Sequence, residues 1–221
     1  MSEIVVQKFG GTSVGTVDRI DSVAEIIKNA SKSNKIVVVV SAMGGETNRL
    51  VDLAKAFGDD PDKREFDALV STGETVSSAL LTMALHSKGV KAKSFSASQI
   101  SMRTTSSYSK AKILDVDAKK ILDVVENDTI PIITGFQGVT EGGDVTTLGR
   151  GGSDTTAVAI AAQIAATRCD IFTDVDGIFT TDPSVVPNAK KLDSITMEEM
   201  LELAGQGAKV VQTRAVEFAN K

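Results

Sequence analysis

Short, nearly continuous apolar runs alternate along this chain with stretches whose apolar residues recur every three or four positions. Glu3 to Phe9 (EIVVQKF) is β-branched and strand-like; after the loop Gly10 to Gly15, Val17, Ile20, Val23, Ala24 and Ile27 follow at helical spacing. Lys35 to Val40 (KIVVVV) is apolar throughout, the pattern of a central parallel strand covered on both faces. It opens into Ser41 to Gly45 and a predicted helix from about Arg49 to Phe57, with Asp59 to Arg64 as a solvated connection. Phe66 to Leu85 reads as a helix interrupted at Ser71 to Glu74, where Ser71 or Thr72 would cap the second part. Val90 to Phe95 is a predicted strand, and the Ser/Thr-rich stretch Ser96 to Lys110 a mobile loop or small edge hairpin.

Ala118 to Glu126 reads as a helix and Thr129 to Phe136 (TIPIITGF) as one buried strand. Seven of the eighteen glycines fall between Gly135 and Gly152, with Glu141 to Asp144 as a hairpin turn. Ser153 to Ala166 is a predicted helix and Asp170 to Val175 a strand, with Asp176-Gly177 turning into Ile178 to Thr181. Thr196 and Glu199 form a capping box for a helix over Met197 to Ala204, and Lys209 to Asn220 is helical again. The recurring strand, glycine loop and helix point to an α/β fold. Doubly wound sheets alternate back to a strand, so a chain stopping at this helix reads as truncated.

Composition narrows the chemistry. At 221 residues and 42% hydrophobic content the chain can bury the core of one domain. A net charge of −5, no basic run and no Trp argue against nucleic acid as a partner. Neither a signal peptide nor an 18-residue apolar span is expected, so no membrane partner is. A single Cys169 suits a reducing cytoplasm, and with one histidine it cannot build an ordinary zinc site. His86 is assigned a surface or packing role. Any metal should be a hard ion, Mg2+, brought with phosphate oxygens.

The stretch Thr146 to Thr156 (TTLGRGGSDTT) carries the densest chemistry. Gly149, Gly151 and Gly152 would let the backbone approach a ligand, and the loop empties into a helix N-terminus at Ser153 or Asp154, where free N–H groups favour an anion. Arg150 adds a planar fork suited to a carboxylate or phosphate. Lys8 ends a strand beside Gly10, Gly11, Thr12 and Ser13, where it could equally be an exposed strand-end lysine. Glu74 at a helix start could favour the helix dipole or face a cleft and hold an ammonium group.

In combination, KFGGTSV (Lys8 to Val14), SAMGG-x-T (Ser41 to Thr47), STGE (Ser71 to Glu74), TGFQG (Thr134 to Gly138), TLGRGGSDTTA (Thr147 to Ala157), TDVDGIFTTDP (Thr173 to Pro183) and GAKV (Gly207 to Val210) resemble the aspartate kinases of the amino acid kinase family. The resemblance implies an αβα sandwich around a mainly parallel sheet, with residues 1–221 as the catalytic domain, lacking a closing strand and the ACT regulatory domains. It implies ATP-dependent phosphorylation of the aspartate side-chain carboxylate, giving 4-phospho-L-aspartate, the entry to lysine, threonine and methionine synthesis. It also implies assembly as a homo-oligomer or with a regulatory chain. Lys8, Gly10, Gly11 and Thr12 would hold the ATP phosphates, with Ser41 and Ser153 at the phosphate end and Lys209 as the second phosphate lysine. Asp154 would orient the two lysines; Thr173, Asp174, Phe179 and Asp182 would line the nucleoside. Thr47 and Glu74 would contact aspartate, Arg150 would grip its α-carboxylate, and Gly151, Gly152 and Ser153 would line the transfer site. Phe179 stands where the family usually has Tyr, and Ser184 where Arg is usual. Two other readings stay open: a glutamate or acetylglutamate kinase, against which SAMGG and STGE argue, and a nucleotide-binding regulatory module without turnover.

Overall fold

The computed structural model describes residues 3–181 and 185–205. The expected roles of Asp182 and Lys209, the departure at Ser184 and the helix from Lys209 to Asn220 lie outside the described residues. In chain order the elements are β1 (Ile4–Phe9), α1 (Val17–Ala30), β2 (Lys35–Val40), α2 (Glu46–Lys55), α3 (Lys63–Val70), α4 (Thr72–Ser87), β3 (Ala92–Phe95), β4 (Arg103–Thr104) and β5 (Ile113–Asp115). They continue with α5 (Ala118–Glu126), β6 (Ile130–Thr134), β7 (Gln137–Val139), β8 (Val145–Thr147), α6 (Gly152–Gln163), β9 (Arg168–Phe172) and α7 (Met197–Gly205).

The central sheet has five strands in the order β3-β6-β2-β1-β9, every pair parallel. Alternation along each strand sends its residues to two cores, as the period-2 geometry of a strand requires. Val5, Phe9, Ile36, Val38, Val40 and Ile132 pack with Ile20, Val23 and Ile27 of α1 and Leu81 and Leu85 of α4. Val6, Val37, Val39 and Ile133 face the other way, onto Ile121 and Val125 of α5 and Ala157 and Ile160 of α6. β2 is thus the buried central strand its uniform sequence predicts. The result is a mainly parallel sheet between two helical layers.

Register puts the working ends of the strands on one edge. Phe9 is level with both Val40 and Phe172, and Val40 with Thr134, so four C-terminal ends meet there. The Phe9 and Phe172 rings stack with centroids 4.5 Å apart, tying β1 to β9 at that edge.

A second sheet of four strands, β5-β4-β7-β8, stands beside this edge. The strand read over Thr129 to Phe136 ends at Thr134: Gly135 and Phe136 turn the chain, and the next strand, β7, belongs to the other sheet. Phe136 turns the chain with a φ of 67°, and a Cβ on Gly135 would lie 2.6 Å from the Ser153 side chain and 2.9 Å from the Val40 carbonyl. β7 and β8 form the expected antiparallel hairpin around Glu141 to Asp144. The Ser/Thr-rich stretch supplies β4, which pairs antiparallel with β5 and parallel with β7.

Other boundaries differ for identifiable reasons. α3 starts at Lys63, because the Asp62 side chain accepts the Glu65 N–H as an N-cap. Ser71 stands between α3 and α4 but caps neither with its side chain; its hydroxyl donates back to the Ala68 carbonyl. β9 spans 168–172 rather than 170–175, fixed by pairing with β1, and Asp176-Gly177 does not turn between paired strands; Phe179 instead bridges to Lys191. The stretch Lys63–Ser87 is by composition long and apolar enough to cross a membrane, yet half of its most apolar window is buried inside the fold. His86 lies at the surface, one of the two places expected of it, with its Nε2 2.8 Å from the Ala92 carbonyl oxygen.

Candidate active site

The loops after β1, β2, β8 and β9 and the start of α4 surround a cleft of about 650 Å³. Its lining takes Lys8, Gly10, Gly11 and Thr12 from the first loop, Ser41 and Thr47 from the second, and Glu74 from α4. Arg150, Gly151, Gly152, Ser153 and Asp154 come from the third loop and α6, and Thr173 and Asp174 from the segment after β9. The sequence candidates are therefore brought together, with one exception among the described residues. Phe179 is not in the lining; its backbone forms an isolated bridge to Lys191.

Glycine makes the close approach of the first two loops possible. A Cβ on Gly11 would lie 2.9 Å from the Ala42 carbonyl oxygen, so only glycine lets the loops touch. Arg19 of α1 steadies the first loop by donating from Nη1 to the Thr12 carbonyl at 2.6 Å. At the base of the cleft Lys8 Nζ lies 2.6 Å from Asp154 Oδ1, with both side chains largely buried. This pair joins the end of β1 to the first turn of α6, so a phosphate-sized anion entering here meets an ammonium already aimed by a carboxylate.

Helix starts supply further positive potential. α1, α3 and α5 are capped by side chains of Thr16, Asp62 and Asp117, and they start away from the cleft lining. α2 and α6, which present Thr47 and Ser153 to the cleft, have no side-chain cap, whereas α4, which presents Glu74, runs on from α3 through a helical Ser71 and has no free start. α6 begins at Gly152 with left-handed Gly151 ahead of it, so neither Ser153 nor Asp154 caps it, and Asp154 is free to meet Lys8. Uncapped N-termini turned to a cavity favour anionic groups.

Glu74 is the most perturbed group in the cleft. It is 3% exposed, and its Oε1 accepts the Ala42 N–H at 3.1 Å. Burial pushes its carboxyl up to about 7, with the Ala42 hydrogen bond pulling the other way. Its second oxygen is buried without a partner among the described residues, a costly arrangement that a cationic ligand group would relieve. Arg150, in contrast, is exposed and has no protein partner among the described residues, which leaves its fork available.

Two participants, Asp67 and Ser109, escape a sequence reading, and a third, Thr147, is a motif member with no role assigned from sequence. Asp67 of α3 is completely buried and accepts from Ser109 N–H at 2.8 Å and Thr147 N–H at 2.7 Å. The hydroxyls of Ser109 and Thr147 donate to it as well, at 3.1 and 2.9 Å. Ser109 and Thr147 both line the cleft. The signal for Asp67 is positional: it lies three residues before Val70 and seven before Glu74, on one helical stripe.

The chain belongs to the amino acid kinase family, whose model matches residues 3–221. Within it, the chain is 56% identical to the aspartate kinase of Pseudomonas putida over 99% of its own length and 53% of that protein's. It is also similar to the crystal structure of aspartate kinase from Synechocystis, with a TM-score of 0.84 and 48% identity over 97% of this chain and 36% of that one. The E. coli aspartokinase III complex with aspartate and ADP superposes with a TM-score of 0.90, at 32% identity over 99% of this chain and 60% of that one. The chain spans about half the length of the curated relatives it matches.

Proposed function

We propose that this chain forms the catalytic domain of an aspartate kinase, transferring the γ-phosphoryl group of ATP to the side-chain carboxylate of L-aspartate. The observation that carries this reading is one cleft with two chemically distinct sets of groups. Lys8, Asp154 and glycine loops suit phosphates; Arg150 and the half-satisfied Glu74 suit the carboxylate and ammonium of an amino acid. The similarity to aspartate kinases, one of them solved with aspartate and ADP, supports it.

In this reading Arg150 grips the α-carboxylate bidentately and Glu74, with Thr47 beside it, takes the α-ammonium. The remaining carboxylate, whose ordinary pKa is about 4, is already an anionic nucleophile at neutral pH and needs no general base. Its oxygen attacks the γ-phosphorus in line as the bond to the β,γ-bridging oxygen breaks and ADP leaves, without a phospho-enzyme. Lys8, oriented by Asp154, the uncapped starts of α2 and α6, and Lys209 by resemblance, stabilise charge on the transferring group. Gly10, Gly11, Thr12, Ser41 and Ser153 cradle the phosphates, while Thr173 and Asp174 border the nucleoside; Gly151 and Gly152 let the acceptor come close. Among the described residues no group of three or more His, Cys, Asp or Glu could hold a metal ion. Mg2+ carried on ATP would partly neutralise the phosphates, with phosphate oxygens as its main ligands.

The test is Arg150→Lys, which keeps the charge and loses the planar fork. Aspartate turnover is expected to collapse at least a hundredfold while ATP binding, titrated by calorimetry, stays within a few-fold. If ATP binding is lost and the aspartate KM kept, Arg150 is a phosphate ligand and the assignment of the two sets is wrong.

A further inference from the structure

The transfer chemistry leaves one buried charged group unused. Asp67 lies beneath the cleft wall, between Phe66 and Val70 of α3, which both face the cavity. A fully buried carboxylate is expensive to desolvate, and an apolar residue would anchor a helix more cheaply. What the carboxylate gains is geometry. Its two oxygens take the backbone N–H and the hydroxyl of Ser109 and of Thr147, residues 42 and 80 positions along the chain.

Both partners lead to Arg150. Thr147 ends β8, and three residues on stands Arg150, reached through Gly149 with a φ of 76°. Ser109 is itself held left-handed, at φ 65°, a conformation unfavourable for a residue with a side chain. The Ser109 carbonyl oxygen lies 3.1 Å from where a Cβ on Gly149 would be, so the Ser109 turn forms a stop against which the Gly149 turn rests. On the solvent side, Tyr108 Oη donates to Asp144 Oδ2 at 3.1 Å, and Arg64 pairs with Asp144 Oδ1 at 3.0 Å. That outer clasp joins the same three segments but is exposed, so screening leaves it weak.

We propose that Asp67 is a positioning residue for the amino acid end of the cleft: by clamping Ser109 and Thr147 together it fixes where Arg150 presents its guanidinium. The proposal rests on the reading of Arg150 as the α-carboxylate clamp. It assigns the Ser/Thr-rich stretch a role as the wall that sets the acceptor site, rather than a mobile loop. It also separates two kinds of damage, because the phosphate groups around Lys8 are held by β1, β2 and α6, without Asp67.

The experiment uses the full chain with Asp67→Asn, which keeps the shape but sets an amide NH2 against N–H donors. Tyr108 is the only tyrosine and there is no tryptophan, so near-ultraviolet-excited emission comes from the clamped turn itself. The variant is expected to show Tyr108 emission at least twofold more quenchable by acrylamide, and an aspartate KM raised tenfold or more. The KM for ATP and kcat at saturating aspartate should stay within about threefold. If Asp67→Asn does not fold, Ser109→Ala removes one donor and should raise the aspartate KM two- to fivefold with ATP KM unmoved. An aspartate KM within twofold of wild type, or equal losses for ATP and aspartate, overturns the proposal. If the wild-type chain does not phosphorylate aspartate, the functional reading fails first. Tyr108 quenching then decides the clamp alone: unchanged quenching in Asp67→Asn overturns it.

Discussion

β2 in the large sheet buries five consecutive aliphatic residues, Ile36 to Val40, whereas β7 and β8 in the small sheet bury Gln137, Gly138, Thr146 and Thr147. The large sheet coheres through area removed from water, which has no direction and tolerates substitutions of similar volume. The small sheet is held by matched donors and acceptors: Thr104 to Thr146 at 2.6 Å within it, and Gln137 tying it to Thr134 of β6 at 2.8 Å and to the Ser71 carbonyl at 2.6 Å. The cleft draws Lys8 from the first region, and Thr147 and the Arg150 loop from the second. In the proposed reading, an apolar platform carries Lys8 for the phosphates, and a directional polar lattice aims Arg150 at the acceptor.

That contrast can be broken most sharply in the platform. Ile132 is completely buried in β6, and Ile132→Ala should cost about 2–5 kcal/mol in urea unfolding by opening a cavity. The KM values of the surviving folded enzyme should change little, because no directional contact is lost; a selective rise in the aspartate KM would contradict the division of labour.

Next comes Glu74, where the two regions meet. Its carboxyl is raised from the usual range to about 7, so the folded state holds its proton more tightly than the unfolded chain. Stability of the free protein should therefore fall as pH rises from about 4.5 to 7, by about 3 kcal/mol in all, and stay reduced above that. Glu74→Gln should remove this slope, and saturating aspartate should flatten it in the wild type, because an ammonium partner restores the carboxylate. Unfolding free energies at pH 5 and pH 8, with and without aspartate, check both; a slope that survives Glu74→Gln places its source elsewhere.

The smallest effect probes the lattice itself. Thr104→Val keeps the shape but leaves the buried Thr146 hydroxyl unpaired, and should cost about 1–3 kcal/mol. Adding Thr146→Val removes the orphan and should recover most of that loss, so the coupling in a double-mutant cycle measures direction rather than area. Additive losses would mean that the small sheet, too, is held mainly by packing.

Legibility followed the same division. α1 could be read because one-sided burial imprints a helical period on the sequence, β1 and β2 because burial on both faces leaves short apolar runs, and the glycine loops because a close approach demands glycine. The end of β6 at Thr134 could not, since the run continues to Phe136 and the turn is set by Ser153 and Val40 packing on Gly135. Asp67 was hidden because an acidic helix residue ordinarily faces water, and its four donors come from residues far along the chain. Most cleft residues were legible as motif members. The two-sheet layout behind them was not, because polar strands of two or three residues carry no periodicity.

The position of β1 has a consequence in time. Its partner β2 follows it closely in the chain, but its other neighbour, β9, ends at Phe172, about 160 residues after Phe9. At roughly 5–20 residues per second, synthesis leaves one edge of β1 open for on the order of 10–30 s. Closing so long a loop adds only slowly to the entropy cost, yet such non-local pairing is slow to find. Lys8 and Asp154 are separated in the same way, so the lysine one residue before the end of β1 has no Asp154 to meet until the first 154 residues have been added. The nascent chain in that interval carries an unsatisfied strand edge, where a chaperone or a neighbouring copy would dock first.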